Sequence, residues 1–97
     1  MPQSLSKIER DQALLALPEW TYVEDRAALH RRLVLEDFSA ALGLMVRIGI
    51  EAEKADHHPE WFNVYNKLDI WLTTHDAGGV SEKDLALARV IDRLALS

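Results

Sequence analysis

The segment EAEKADHHPEWFNVYNKLDIWLTTH, Glu51 to His75, holds three of the chain's four histidines. His57 and His58 are adjacent and stand directly before Pro59, and His75 closes the segment. An imidazole with an ordinary pKa of ~6.5 can donate or accept a proton near neutral pH. Several imidazoles in one pocket can therefore take a proton from one atom of a substrate and deliver one to another. A dehydration needs that pairing: one group protonates a departing hydroxyl while another removes a proton from the neighbouring atom. Glu53 lies four positions before His57, a spacing at which a helical carboxylate can hydrogen-bond the imidazole and fix its tautomer.

The same residues admit two other readings. Glu53, His57 and His75 could supply three metal ligands. Against that, adjacent histidines diverge, and the chain has neither an HExxH run nor a cysteine. The histidines could also simply cap a helix and face solvent.

Such side chains need rigid supports. Residues 6–17 are predicted to form a helix opened by a Ser6/Glu9 capping box and stopped by Pro18. Residues 20–24 and 28–35 read as two strands joined by a polar turn. In the second, Leu29, Leu33 and Leu35 share a face with Arg31 as the exception, and His30 and Arg32 take the other. Residues 37–56 form the longest predicted helix, with Phe38, Ala41, Leu42, Met45, Ile48 and Ala52 as its core stripe. Leu44, Val46 and Ile50 fall outside that stripe, which points either to deep burial or to a second face for self-association. Residues 61–67 and 68–75 read as a second strand pair, with Leu68, Ile70 and Leu72 alternating with Asp69, Trp71 and Thr73. Ser81 and Asp84 form another capping-box pattern ahead of a helix from 82 to about 96. This order predicts an α+β fold, a four-stranded antiparallel sheet with three helices packed on one face.

At 97 residues the chain is expected to form a single domain spanning 1–97. The net charge of −5 argues against general affinity for nucleic acid or an anionic membrane. With no cysteine, a polar N-terminus and no apolar run near the ~20 residues needed to span a bilayer, a cytoplasmic protein is expected.

The histidine segment resembles the pterin-4a-carbinolamine dehydratases. Their signature is an acidic residue, His-His-Pro, an aromatic, a later His and an Asp, matched here by Glu53, His57-His58-Pro59, Tyr65, His75 and Asp84. The blocks ERDQALLALPEW and EDFSAALGLMVRI extend the likeness over most of the chain. The resemblance implies removal of water from 4a-hydroxytetrahydropterin, the spent cofactor of aromatic amino acid hydroxylases, with no metal or organic cofactor. It implies His57 and His75 as general acid and base, with their allocation open, and His58 as the group that holds and polarises the substrate. Glu53 and Asp84 would be supporting carboxylates, Asp84 acting mainly as the capping partner of Ser81. Pterin contacts would come from Asp56 to His58 and from Thr73, Thr74, His75 and Asp76. Trp20 would either cover the flat ring or serve as a core aromatic, while Pro59, Trp61 and Tyr65 would shape the site. Two departures fall in the first hairpin: Glu19 stands where the family commonly has glycine, and the turn EDRA lacks another. The family's homodimers and homotetramers imply assembly through the long helix and sheet edges. In animals that surface also binds a homeodomain transcription factor. A non-enzymatic assembly or regulatory module built on the long helix is therefore the alternative function.

Overall fold

Ser6 and Ser81 open helices as their spacing predicts. Ser6 accepts from Glu9 N–H while Glu9 accepts from Ser6 N–H, and Asp84 likewise closes a box with Ser81. In the computed structural model, which describes residues 3–96, α1 spans Lys7–Leu14 and α3 spans Glu82–Ala95. α1 ends sooner than predicted. Beyond Leu14 the N–H groups of Leu15, Ala16 and Leu17 reach back three residues rather than four, a tightened turn that carries the chain to Pro18.

Between them run β1 (Thr21–Val23), β2 (Ala28–Val34), α2 (Phe38–Ala55), β3 (Glu60–Val64) and β4 (Lys67–Leu72). The two hairpins merge into one antiparallel sheet of order β1-β2-β4-β3, because β2 pairs with β4 from Leu29↔Leu72 to Val34↔Lys67. The α+β expectation holds.

Alternation sets the two faces of the sheet. Leu29, Leu33, Leu68, Ile70 and Leu72 are buried with Leu85, Leu87, Ala88 and Ile91 of α3. Arg31 breaks the apolar pattern on this side because it pairs with Asp92 of α3, which also accepts from the Trp20 indole N–H at 2.8 Å. The helix-free face carries His30, Arg32, Asp69 and Trp71. There Arg32 grips Asp69 through two hydrogen bonds, and His30 bonds the same carboxylate.

The core stripe of α2 differs from the predicted one. Ala41, Leu44, Ile48 and Ala52 are buried, whereas Phe38, Leu42, Val46 and Ile50 are each roughly half exposed. Both lines of residues are apolar and lie side by side around the helix. The sheet covers the one that includes the small Ala41 and Ala52, which let α2 pack close. Among the described residues, no helix is long and apolar enough to cross a membrane.

Candidate active site

The end of α2 sets the course of the paired histidines. Asp56 adopts a left-handed conformation (φ 50°), and His57 N–H reaches back to Ala52 C=O while Asp56 N–H bonds Glu53 C=O. These bonds form a Schellman motif, which swings the chain off the helix axis. Pro59, which lacks an N–H and has a restricted φ, then leads into β3.

The turn changes the expected carboxylate pairing. Once the helix has ended, four-residue spacing no longer brings Glu53 against His57. Glu53 bonds His58 instead (Oε1 to Nε2, 2.6 Å), on the surface. His57 turns inward, its side chain 11% exposed, and meets the fully buried Asp84 at 2.6 Å. Capping does not exhaust Asp84. Its Oδ2 accepts from Ser81 N–H at 2.9 Å and from the Thr74 hydroxyl at 2.7 Å, leaving Oδ1 for His57. Thr74 has one hydroxyl proton and gives it to Asp84, so Ser81 Oγ donates to Thr74 Oγ1 at 2.7 Å. With Oδ1 accepting, His57 carries its proton on Nε2 and keeps Nδ1 free to exchange one.

His75 sits at the start of a single 3-10 turn, His75–Ala77. Thr74 and Gly79 exchange backbone hydrogen bonds across the base of this loop. Gly78 closes it at φ 73°, where a side chain would be strained. The His75 ring is 81% exposed and bonds Glu60 Oε2 through Nε2 at 3.0 Å. Glu60 also accepts from Arg26. That hydrogen bond is the main reason its carboxyl lies below the usual range; burial opposes the shift, and the His75 contact adds to it.

These parts surround one cleft of about 320 Å³, lined by Asp56, His57, His58, Thr73, Thr74, His75, Asp76 and Lys83. The three histidines of the sequence motif thus share a cavity. Lys83, one residue before Asp84 on the first turn of α3, escaped the sequence reading. No local signal marked it, because the start of α3 reaches the cleft only through the tertiary pairing of Asp84 with His57. A second, more apolar hollow of about 330 Å³ adjoins this one at His57 and Lys83 and runs along Ala55, Ala86, Leu87 and Val90.

Other predicted site residues lie elsewhere. Trp20 is in the core, held by Asp92, and does not line the cleft; the indole is buried against α3 and is not available to cover a ring. Tyr65 occupies the β3–β4 turn in a left-handed conformation (φ 50°). That turn is at the far end of the hairpin from His58, roughly 15 Å away along a five-residue strand, so within one subunit Tyr65 does not wall the cleft. Trp61 packs inward, with its ring over Gly49 of α2. Its part is to hold β3 against that helix beside the His58–Pro59 turn. Among the described residues, no three His, Cys, Asp or Glu side chains are grouped to hold a metal ion. Each imidazole instead turns Nε2 toward a carboxylate of its own.

The family model for pterin 4 alpha carbinolamine dehydratase matches residues 3–94. A Rhizorhabdus wittichii protein with a provisional name as a pterin-4-alpha-carbinolamine dehydratase is 53% identical over 93 residues, covering 96% of each chain. A similarly named Burkholderia cenocepacia protein is 52% identical over 95 residues, 98% of this chain and 93% of that one. A crystal structure of a Brucella melitensis protein, described as a transcriptional coactivator/pterin dehydratase, superimposes with a TM-score of 0.93 at 44% identity. It covers 96% of this chain and 99% of its own. Agreement over this length, in sequence and in fold, makes the chain a member of the pterin-4a-carbinolamine dehydratase family of enzymes.

Proposed function

We propose that the cleft dehydrates 4a-hydroxytetrahydropterin by histidine acid–base catalysis, without metal or organic cofactor. The observation that carries this reading is the meeting of His57, His58 and His75 in one cavity with Asp56, Thr73, Thr74 and Asp76. One imidazole removes the N5 proton while another protonates the 4a-hydroxyl. The C4a–O bond breaks, water leaves, and a C4a–N5 double bond forms, giving the quinonoid dihydropterin. His57 and His75 make the two transfers, and His58, held by Glu53, polarises the substrate. Each positioned proton transfer of this kind contributes on the order of 10²- to 10⁴-fold. A stopped-flow measurement of 4a-hydroxypterin breakdown tests the reading. The wild-type chain accelerates it, and replacing His57 and His75 together with alanine returns the uncatalysed rate. Full activity in the double variant refutes the assigned roles.

On this reading the chain works in the cytoplasm, where it regenerates the tetrahydropterin cofactor of an aromatic amino acid hydroxylase. It assembles with copies of itself through α2 and the sheet edges, which gives the half-exposed line Phe38, Leu42, Val46 and Ile50 a cover. Sedimentation of Val46→Glu checks this, with a smaller species expected than for wild type. The Brucella melitensis relative is described as a coactivator as well as a dehydratase. A protein-binding role in this chain would use the same helix face, and a stoichiometric partner found without dehydratase activity would favour it.

A further inference from the structure

His75 presents a problem that its backbone does not solve. The loop beneath it is closed at Thr74 and Gly79, yet the ring itself is 81% exposed. An exposed imidazole rotates freely unless a side chain holds it, and proton transfer requires it to stay in reach of the substrate. Its hydrogen bond is to Glu60, and Glu60 is not free either. Glu60 opens β3 directly opposite Trp71 of β4. One oxygen takes His75 at 3.0 Å, and the other takes the Arg26 guanidinium at 2.9 Å. Arg26 in turn lies over the Trp71 ring, 3.9 Å from its centroid. The turn that carries Arg26 is tied down by the Thr73 hydroxyl, which donates to Ala27 C=O at 2.8 Å. Ala27 there holds a left-handed conformation (φ 48°) usually left to glycine. The turn EDRA is thus tied to β3 through Glu60, to β4 through Trp71 and to the chain just beyond β4 through Thr73.

We infer that Arg26 and Glu60 are positioning residues for the dehydration: Arg26, seated on Trp71, fixes the Glu60 carboxylate, and Glu60 holds the His75 ring at the cleft through Nε2. Neither lines the cleft. An ionised carboxylate only accepts, so His75 donates from Nε2 and keeps Nδ1 for proton exchange. An exposed ion pair adds little to stability, so the function of this pair lies in orientation.

The inference rests on the dehydratase reading, and its test separates the two. Glu60→Gln keeps the size but leaves one oxygen for two donors. It is expected to lower kcat about tenfold with KM within about twofold, and to move the thermal midpoint by no more than about 3 °C. Arg26→Ala lowers kcat in the same direction, and adding it to Glu60→Gln costs nothing further. In a His75→Ala background Glu60→Gln leaves the residual rate unchanged. The His75 ring ¹⁵N shifts, which report the Nε2–H tautomer that Glu60 selects, are expected to move in both single variants. Full kcat in Glu60→Gln, or an equal loss in the His75→Ala background, overturns the inference while leaving the dehydratase reading intact. If the wild-type chain does not dehydrate the substrate, the dehydratase reading falls. The ring ¹⁵N shifts then decide the pairing, and shifts unchanged in both Glu60→Gln and Arg26→Ala overturn it.

Discussion

His57 and His75 face the same cleft from opposite kinds of support. His57 is tied to a buried carboxylate that also caps α3 and takes the Thr74 hydroxyl, so one hydrogen-bonded unit joins helix, loop and imidazole. His75 is held on the surface by Glu60, and His58 by Glu53, through pairs open to water. The buried unit cannot be altered without disturbing the fold, because every group it releases is left unpaired in the interior. The surface pairs can be altered almost freely as far as folding is concerned. On the proposed reading, catalysis and stability are therefore coupled at His57 and separable at His75 and His58.

Substitutions can break this contrast or sharpen it. The largest effect is expected for Asp84→Ala, which strands His57 Nε2, the Thr74 hydroxyl and Ser81 N–H. It should cost about 3 kcal/mol of stability and roughly 15 °C in melting temperature, with activity falling at temperatures where the variant is still folded. Thermal unfolding followed by circular dichroism, alongside the stopped-flow assay, measures both. Thr74→Val removes one donor to Asp84 and leaves Ser81 Oγ without its acceptor. About 1 to 2 kcal/mol should be lost in urea unfolding, with a smaller drop in rate. Glu53→Ala leaves stability within about 0.5 kcal/mol and slows turnover a few-fold as His58 loses its anchor; an equal loss of stability at Glu53 and Asp84 would erase the contrast. The smallest effect comes from the helix-free face, which lies outside the site. The hydrogen bonds from Arg32 hold the Asp69 carboxyl below its ordinary range, with burial opposing and His30 assisting. A carboxyl depressed on folding contributes stability that is complete above its unfolded value of about 3.9. That contribution disappears as the pH falls through the lower folded value. Urea unfolding between neutral pH and pH ~3 should therefore show an acid-side loss that Asp69→Asn reduces, with the neutral dehydration rate unchanged.

The sequence carried much of this architecture openly. Capping boxes at Ser6 and Ser81 and the period-two runs in β2 and β4 mark elements through local rules, and those rules held. The histidine motif also named most of the cleft, since residues on either side of a tight turn stay together in space. What was hidden depended on tertiary choice. α2 offers two adjacent apolar lines, and nothing local says that Leu44 turns inward while Phe38 and Leu42 stay out. The left-handed Asp56 undid the expected Glu53–His57 pair and handed Glu53 to His58. Asp84 was legible as a capping residue, but its second oxygen finds His57 across 27 positions of chain. Glu60 fell just ahead of the strand predicted over 61–67, and only its pairing with β4 set it beside His75 and Arg26.

The most direct measurement follows the imidazole nitrogens themselves. Ring resonances of all four histidines can be tracked by ¹⁵N NMR while a stable dihydropterin is titrated into the wild-type chain. His30, tied to Asp69 on the helix-free face, serves as the internal control. Joint saturating shifts at His57, His58 and His75, with His30 still, are the predicted result. Shifts confined to one of the three, or no binding at all, would contradict a shared proton-transfer cleft.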